Sequence, residues 1–169
     1  ALLAFAKSQA AVEGATLRTI VTGMIGSSRS NRGTEVWGIS SEDESAVSTF
    51  DDDIVAGNFF TDERKNQIVL GQKLADNLQV KLRSKVVLTF QDLEGIITAG
   101  AFRVVGIYES GNTEVDESLV LVQQTDLLGL LTPTQEEGGQ DTFPNTISHE
   151  LAVLLDGPRQ IDTIGQILQ

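Results

Sequence analysis

Apolar positions recur along the chain with two periods, and their alternation predicts a mixed fold. Leu2, Leu3, Phe5, Ala6 and Ala10 keep helical spacing and Gly14 follows as a stop signal, so residues 1–12 read as a helix. Leu17 to Ile25 is apolar and strand-like, SSRSNRG at 27–33 has turn chemistry, and Thr34 to Ser40 alternates. These segments predict a β-hairpin. The acidic run at 41–53 has room for one helical turn, with Asp43 near its N-cap.

Farther along, IVAGNFF (54–60) leads through the charged turn TDERKN into QIVLG (67–71), which reads as a short buried strand. In GQKLADNLQV the residues Leu74, Ala75 and Leu78 share one face of a short helix. KVVLTF (85–90) and AFRVVGIY (101–108) are strands flanking QDLEGIITAG, a hairpin connection. SLVLV (118–122) predicts a buried strand and TDLLGLL a helix capped by Thr125. The Gly/Pro/polar stretch 132–145 reads as a loop. A strand, TISHELAVLL, and a helix, PRQIDTIGQIL, follow it, with Asp156 as N-cap and Pro158 in the first turn. The order is αββ, a β-rich middle with two short helices, then βα. It predicts an α+β fold of two lobes, the middle inserted into a lobe built from both chain ends. The seams are expected near 41–53 and 132–145, and no repeat of fixed period is present.

At 169 residues and 40% hydrophobic, the chain can bury a core as one unit or two small lobes. Its 24 acidic and 12 basic side chains leave a formal net charge of −12, with no local Lys/Arg run. That balance repels phosphate backbones, so no nucleic-acid partner is expected, and anionic headgroups are disfavoured. The absence of cysteine removes disulfides, thiolate metal sites and a cysteine nucleophile. No run approaches the roughly 18–20 apolar residues of a membrane span. ALLAFAKSQAAV lacks the basic leader and long apolar centre of a signal peptide. Opening without methionine, the chain reads as a cleaved product or part of a longer protein.

Candidate chemistry is sparse. Ser148, His149 and Glu150 set a serine, a histidine and a carboxylate side by side, but neighbours on a strand point to opposite faces, against a convergent triad. The acidic triplets 42–44 and 51–53 lack the spacing of a calcium loop and read as solvated turns. None of the glycines falls in a phosphate-binding frame, so ATP hydrolysis would have to come from another subunit. Trp37, Phe59–Phe60 and the leucines at 127, 128, 130 and 131 read as core packing. No catalytic residue, metal site or cofactor is expected, and the chain is not read as an enzyme.

Several segments, in order, resemble the periplasmic core domain of FtsX/MacB-type ABC-transporter permeases: IVAGNFF (54–60), IVLGQKLADNLQVKLRSKVVLTF (68–90), FRVVGIYESGNTEVDESLVLV (102–122), TDLLGLL (125–131) and HELAVLLD (149–156). The match is tightest over 54–131 and looser over 1–40 and 145–169. The GNTEVDESLV segment is most similar to the lipoprotein-release branch. Ser84 stands where the family usually has Gly, and Asn58 where it usually has Arg. The hairpin from Gln91 to Gly100 is short and has no proline. In one subunit of lipoprotein-release permeases, the corresponding hairpin is longer and docks a carrier.

The resemblance implies a Porter-like lobe from residues 1–45 and 140–169 and an inserted β-rich, Sabre-like lobe from 46–139. It implies a place on the extracytoplasmic, periplasmic face of the bacterial inner membrane, within a membrane-embedded permease. There the domain would couple ATP-driven motion to export or release of a substrate such as a lipoprotein. The implied partners are cytoplasmic ATPase subunits acting through the full-length permease, a second permease subunit, and a periplasmic carrier or adaptor protein. The alternatives are a MacB-like efflux domain for peptides or drugs and an unrelated ligand- or calcium-binding module. The working surface is expected on the loop Glu109–Glu117 (Glu109, Asn112, Glu114, Asp116 and Glu117), beside the hairpin 91–100.

Overall fold

The computed structural model describes residues 2–10, 12–61, 64–132 and 149–156. Its elements are α1 (Leu2–Lys7), β1 (Val12–Gly26), β2 (Asn31–Ile39), α2 (Ser41–Ser45), β3 (Ile54–Gly57), β4 (Gln67–Gly71), α3 (Gln72–Leu78), β5 (Lys85–Gln91), β6 (Ile97–Tyr108), α4 (Thr113–Ser118), β7 (Leu119–Gln123), α5 (Gln124–Leu131) and β8 (Glu150–Leu155). None of the helices among the described residues is long and apolar enough to cross a membrane.

Six strands pair in a closed cycle, β2–β7–β4–β6–β5–β1 and back to β2, with β3 added on β6. Its β2–β7 and β4–β6 pairs are parallel and its other pairs antiparallel. Closure leaves few free edges, which is how β-rich units avoid edge-to-edge association. A main core formed by Ile25, Val36, Leu70, Leu88, Phe102 and Val120 is sealed by Leu74 and Leu78 of α3 and by Leu127 and Leu131 of α5. Both QIVLG and LVLV are buried on both faces, hence their unbroken apolar runs.

β1 is shared between two sheets. Val12 to Arg18 pairs with β8, whereas Thr19 to Gly26 pairs with β2. The result is an α+β domain of two lobes. The first half of β1 and β8, from opposite ends of the chain, form one sheet, and the strand cycle forms the other.

Local details depart from the sequence reading. Helix α1 stops at Lys7, and β1 starts at Val12 rather than Leu17, because β8 satisfies the backbone of the earlier residues. Ser40, not Asp43, caps α2, its hydroxyl accepting from the Asp43 amide. Gln123 rather than Thr125 occupies the N-cap of α5 and makes no side-chain cap bond. β6 begins at Ile97, so the connection after β5 shortens to a turn across 92–96. The expected loop at 133–145, the start of the last strand at 146–148 and the C-terminal helix lie outside the described residues.

Candidate functional site

Arg18 sits where β1 changes sheets. Its guanidinium grips the buried carboxylate of Glu44 through two bonds, Nε to Oε2 at 3.1 Å and Nη2 to Oε1 at 2.6 Å. Nη1 donates to Glu150 of β8 at 2.7 Å. The planar fork of Arg suits such bidentate pairing. The guanidinium carbon also lies 4.4 Å from the ring centroid of Trp37, a cation–π distance. Burial opposes the positive charge, but the hydrogen bonds and charges of Glu44 and Glu150 outweigh it, so the pKa of Arg18 rises further. One cation thus ties together both sheets and helix α2.

Trp37 passes the contact onward. Phe50 meets it edge-on, with centroids 6.2 Å apart and planes at 89°, and packs against Tyr108 at 5.1 Å and 72°. Edge-to-face pairs of this kind are favourable beyond their buried area. The Tyr108 hydroxyl bonds to the carbonyls of Val115 at 3.2 Å and Leu119 at 2.9 Å. Burial, and then the negative charge of Asp116, push the phenol well above its ordinary pKa. A continuous chain, Arg18–Trp37–Phe50–Tyr108, therefore runs from the shared strand to helix α4.

Helix α4 carries the expected working loop. The Asn112 side chain caps it, accepting from the Glu114 amide at 3.0 Å. Asp116 is buried: its Oδ1 accepts from the Ser110 amide at 2.9 Å and hydroxyl at 2.7 Å. Gly71 makes the close packing possible, since a Cβ there would meet the Asp116 carbonyl oxygen at 2.2 Å. Glu109, Asn112, Glu114 and Glu117 are exposed, whereas Asp116 points inward and holds the loop. The hairpin expected beside this loop lies elsewhere. Glu109 follows Tyr108 at one end of β6 and Ile97 opens the other, 11 residues before Tyr108. At about 3.3 Å per residue that separation is roughly 36 Å.

The remaining candidates have local roles. The His149 Nδ1 accepts from the Ile20 amide at 3.1 Å, and Glu150 is spent on Arg18; Ser148 lies outside the described residues. Asp43 pairs with Lys7. Among the described residues no three metal-ligating groups converge. The sequence reading missed Arg18; its one signal is a lone cation in the apolar run TLRTIV.

Comparison with known proteins bears on this arrangement. A model of the MacB-like periplasmic core domain matches residues 1–169. No curated protein matches the chain. Among solved structures, the extracellular domain of the noncanonic ABC-type transporter YknZ from Gram-positive bacteria superposes with a TM-score of 0.66 at 18% identity, covering 97% of this chain and 76% of that one. The periplasmic region of MacB from Actinobacillus actinomycetemcomitans superposes at 0.60 and 14% identity, covering 97% and 68%. At such identities the likeness is one of fold.

Proposed function

We propose, since this chain belongs to the family of MacB-like periplasmic core domains of ABC-transporter permeases, that it relays ATP-driven motion to a substrate or partner outside the membrane. The family is one of transporter-permease domains, not an enzyme class. The finer reading is that cytoplasmic ATPase subunits act through the full-length permease, paired with a second permease subunit. Their motion would drive release of a substrate such as a lipoprotein to a periplasmic carrier or adaptor.

The observation supporting this reading is the contact chain from Arg18, where the two sheets share β1, to the rim carrying Glu109, Glu114 and Glu117. A rearrangement between the sheets would strain the Arg18 bonds first and reach the rim through packed rings. Packed networks with discrete arrangements are what carry such coupling. A second reading, export of peptides or drugs, draws support from the fold likeness to the MacB region.

The test places Glu114→Lys with Glu117→Lys in the full-length permease and measures export in cells at matched protein levels. Export should fall severalfold while stability changes by no more than about 0.5 kcal/mol, as exposed substitutions do. Normal export would remove the rim from the mechanism. Lipoprotein retained at the inner membrane favours the release branch, and sensitivity to drugs or peptides alone favours efflux.

A further inference from the structure

Between the end of β3, the approach to β4 and the turn before β5 lies a cleft of about 720 Å³. Three arginines line it, Arg64, Arg83 and Arg103, and among the described residues its lining holds no carboxylate. This is unusual for a chain in which acids outnumber bases two to one. Among the described residues none of the three forms an ion pair. Arg103 spends one Nη on the Arg83 carbonyl at 3.0 Å, which sets these two side by side.

The site is built on backbone held in place by long-range bonds. Three turns converge on consecutive residues of β6. The Asn58 amide donates to the Val105 carbonyl at 3.0 Å, the Arg83 amide to Val104 at 2.8 Å, and the Arg103 amide to Asn66 at 2.9 Å. The pairing of β4 with β6 slips between Ile68 and Val69, leaving Val105 out of register as a bulge. Bulges concentrate beside functional sites. Gly57 and Arg83, which line the cleft, and Asn66, whose carbonyl holds Arg103, have left-handed backbones with φ of 75°, 70° and 56°. For non-glycine residues that conformation costs energy and clusters at ligand clamps. The buried Gln67 amide bonds to the Arg64 carbonyl, fixing the turn that presents Arg64.

We infer that this cleft binds a phosphate-type oxyanion borne on a molecule with an apolar part. Three guanidinium groups supply more donors than the two oxygens of a carboxylate can use, and a phosphate offers more acceptors in the same reach. Phe59, Leu82 and Val105 line the same cleft and would receive the apolar part. Free phosphate esters and lipid headgroups share this chemistry.

The experiment titrates the 169-residue chain with inorganic phosphate at constant ionic strength and follows arginine Nε–H and backbone resonances by NMR. Saturable shifts at Arg64, Arg83 and Arg103, with Arg29 and Arg32 unmoved, are expected. In the Arg83→Gln/Arg103→Gln variant, affinity should fall at least about tenfold with thermal stability retained. Flotation with phosphatidylglycerol vesicles, against phosphatidylcholine alone, separates the sources. Binding lost in the variant assigns a lipid headgroup; phosphate binding without flotation assigns a soluble ester. Absence of saturable shifts overturns the inference. Equal shifts at every arginine, or binding kept by the variant, overturn it too.

Discussion

At the scale of single residues, two buried polar groups carry unequal tasks. Removing the cation from Arg18 leaves Glu44 buried and uncompensated, so Arg18→Met should destabilise the domain by about 3–5 kcal/mol in urea unfolding. Glu150→Gln, which removes a half-exposed partner, should cost about 1 kcal/mol or less. An equal loss in both would refute this ranking. Tyr108 is the chain's one tyrosine, so its phenolate absorbance reports a single site. In the unfolded chain the phenol ionises near its ordinary value of about 10. In the fold it holds its proton to higher pH. Unfolding then releases a proton, so stability is intact below about pH 10 and falls as pH rises beyond it. Phenolate absorbance should appear together with loss of structure. Ionisation near pH 10 in a folded protein would contradict the burial argument.

Among the elements, α4 depends most on its cap. Six residues are too few for a helix to persist on propensity alone. Asn112 supplies the missing acceptor at its start, and Asp116 pins the preceding loop through Ser110. Asn112→Ala should cost about 1 kcal/mol of global stability. Amide exchange at Glu114 and Glu117 should also quicken before the strands respond. Unchanged exchange there would show that packing against α3 and β4, not the cap, holds the helix. β5 and the 101–108 part of β6 read correctly from sequence because their alternation faces one core. The caps of α2 and α5 did not, since Ser40 and Gln123 win their positions from the strands that precede them.

For the whole molecule, the two lobes differ in how their strands are held. Strands of the closed cycle have partners on both sides, whereas among the described residues β8 pairs with β1 alone. Local opening follows such differences in burial and bonding. Amides of β8 should therefore exchange faster than those of β4 and β7 in a hydrogen-exchange experiment. Equal protection would mean that the chain opens as one unit. A lobe that loosens first, tied to the other by Arg18, is what the proposed relay of motion requires.

Local chemistry determined the element list. A run such as QIVLG declares a strand buried on both faces, and Leu74, Ala75 and Leu78 declare one helix face, because periodicity acts within a few residues. The ordered motifs from IVAGNFF to HELAVLLD also carried the family. Tertiary structure alone decided who meets whom. Arg18 finds Glu44 26 residues away and Glu150 132 residues away, distances across which no pattern in the chain specifies a partner. The parallel pairing of β2 with β7, Glu35 opposite Leu119, likewise joins segments far apart in the chain. It also took the fold to separate the ends of β6, to turn Asp116 inward, and to gather Arg64, Arg83 and Arg103 from a sequence with no basic run. Side-chain period is a property of neighbours along the chain. Charge clusters and strand order are properties of neighbours in space, set when the whole core closes.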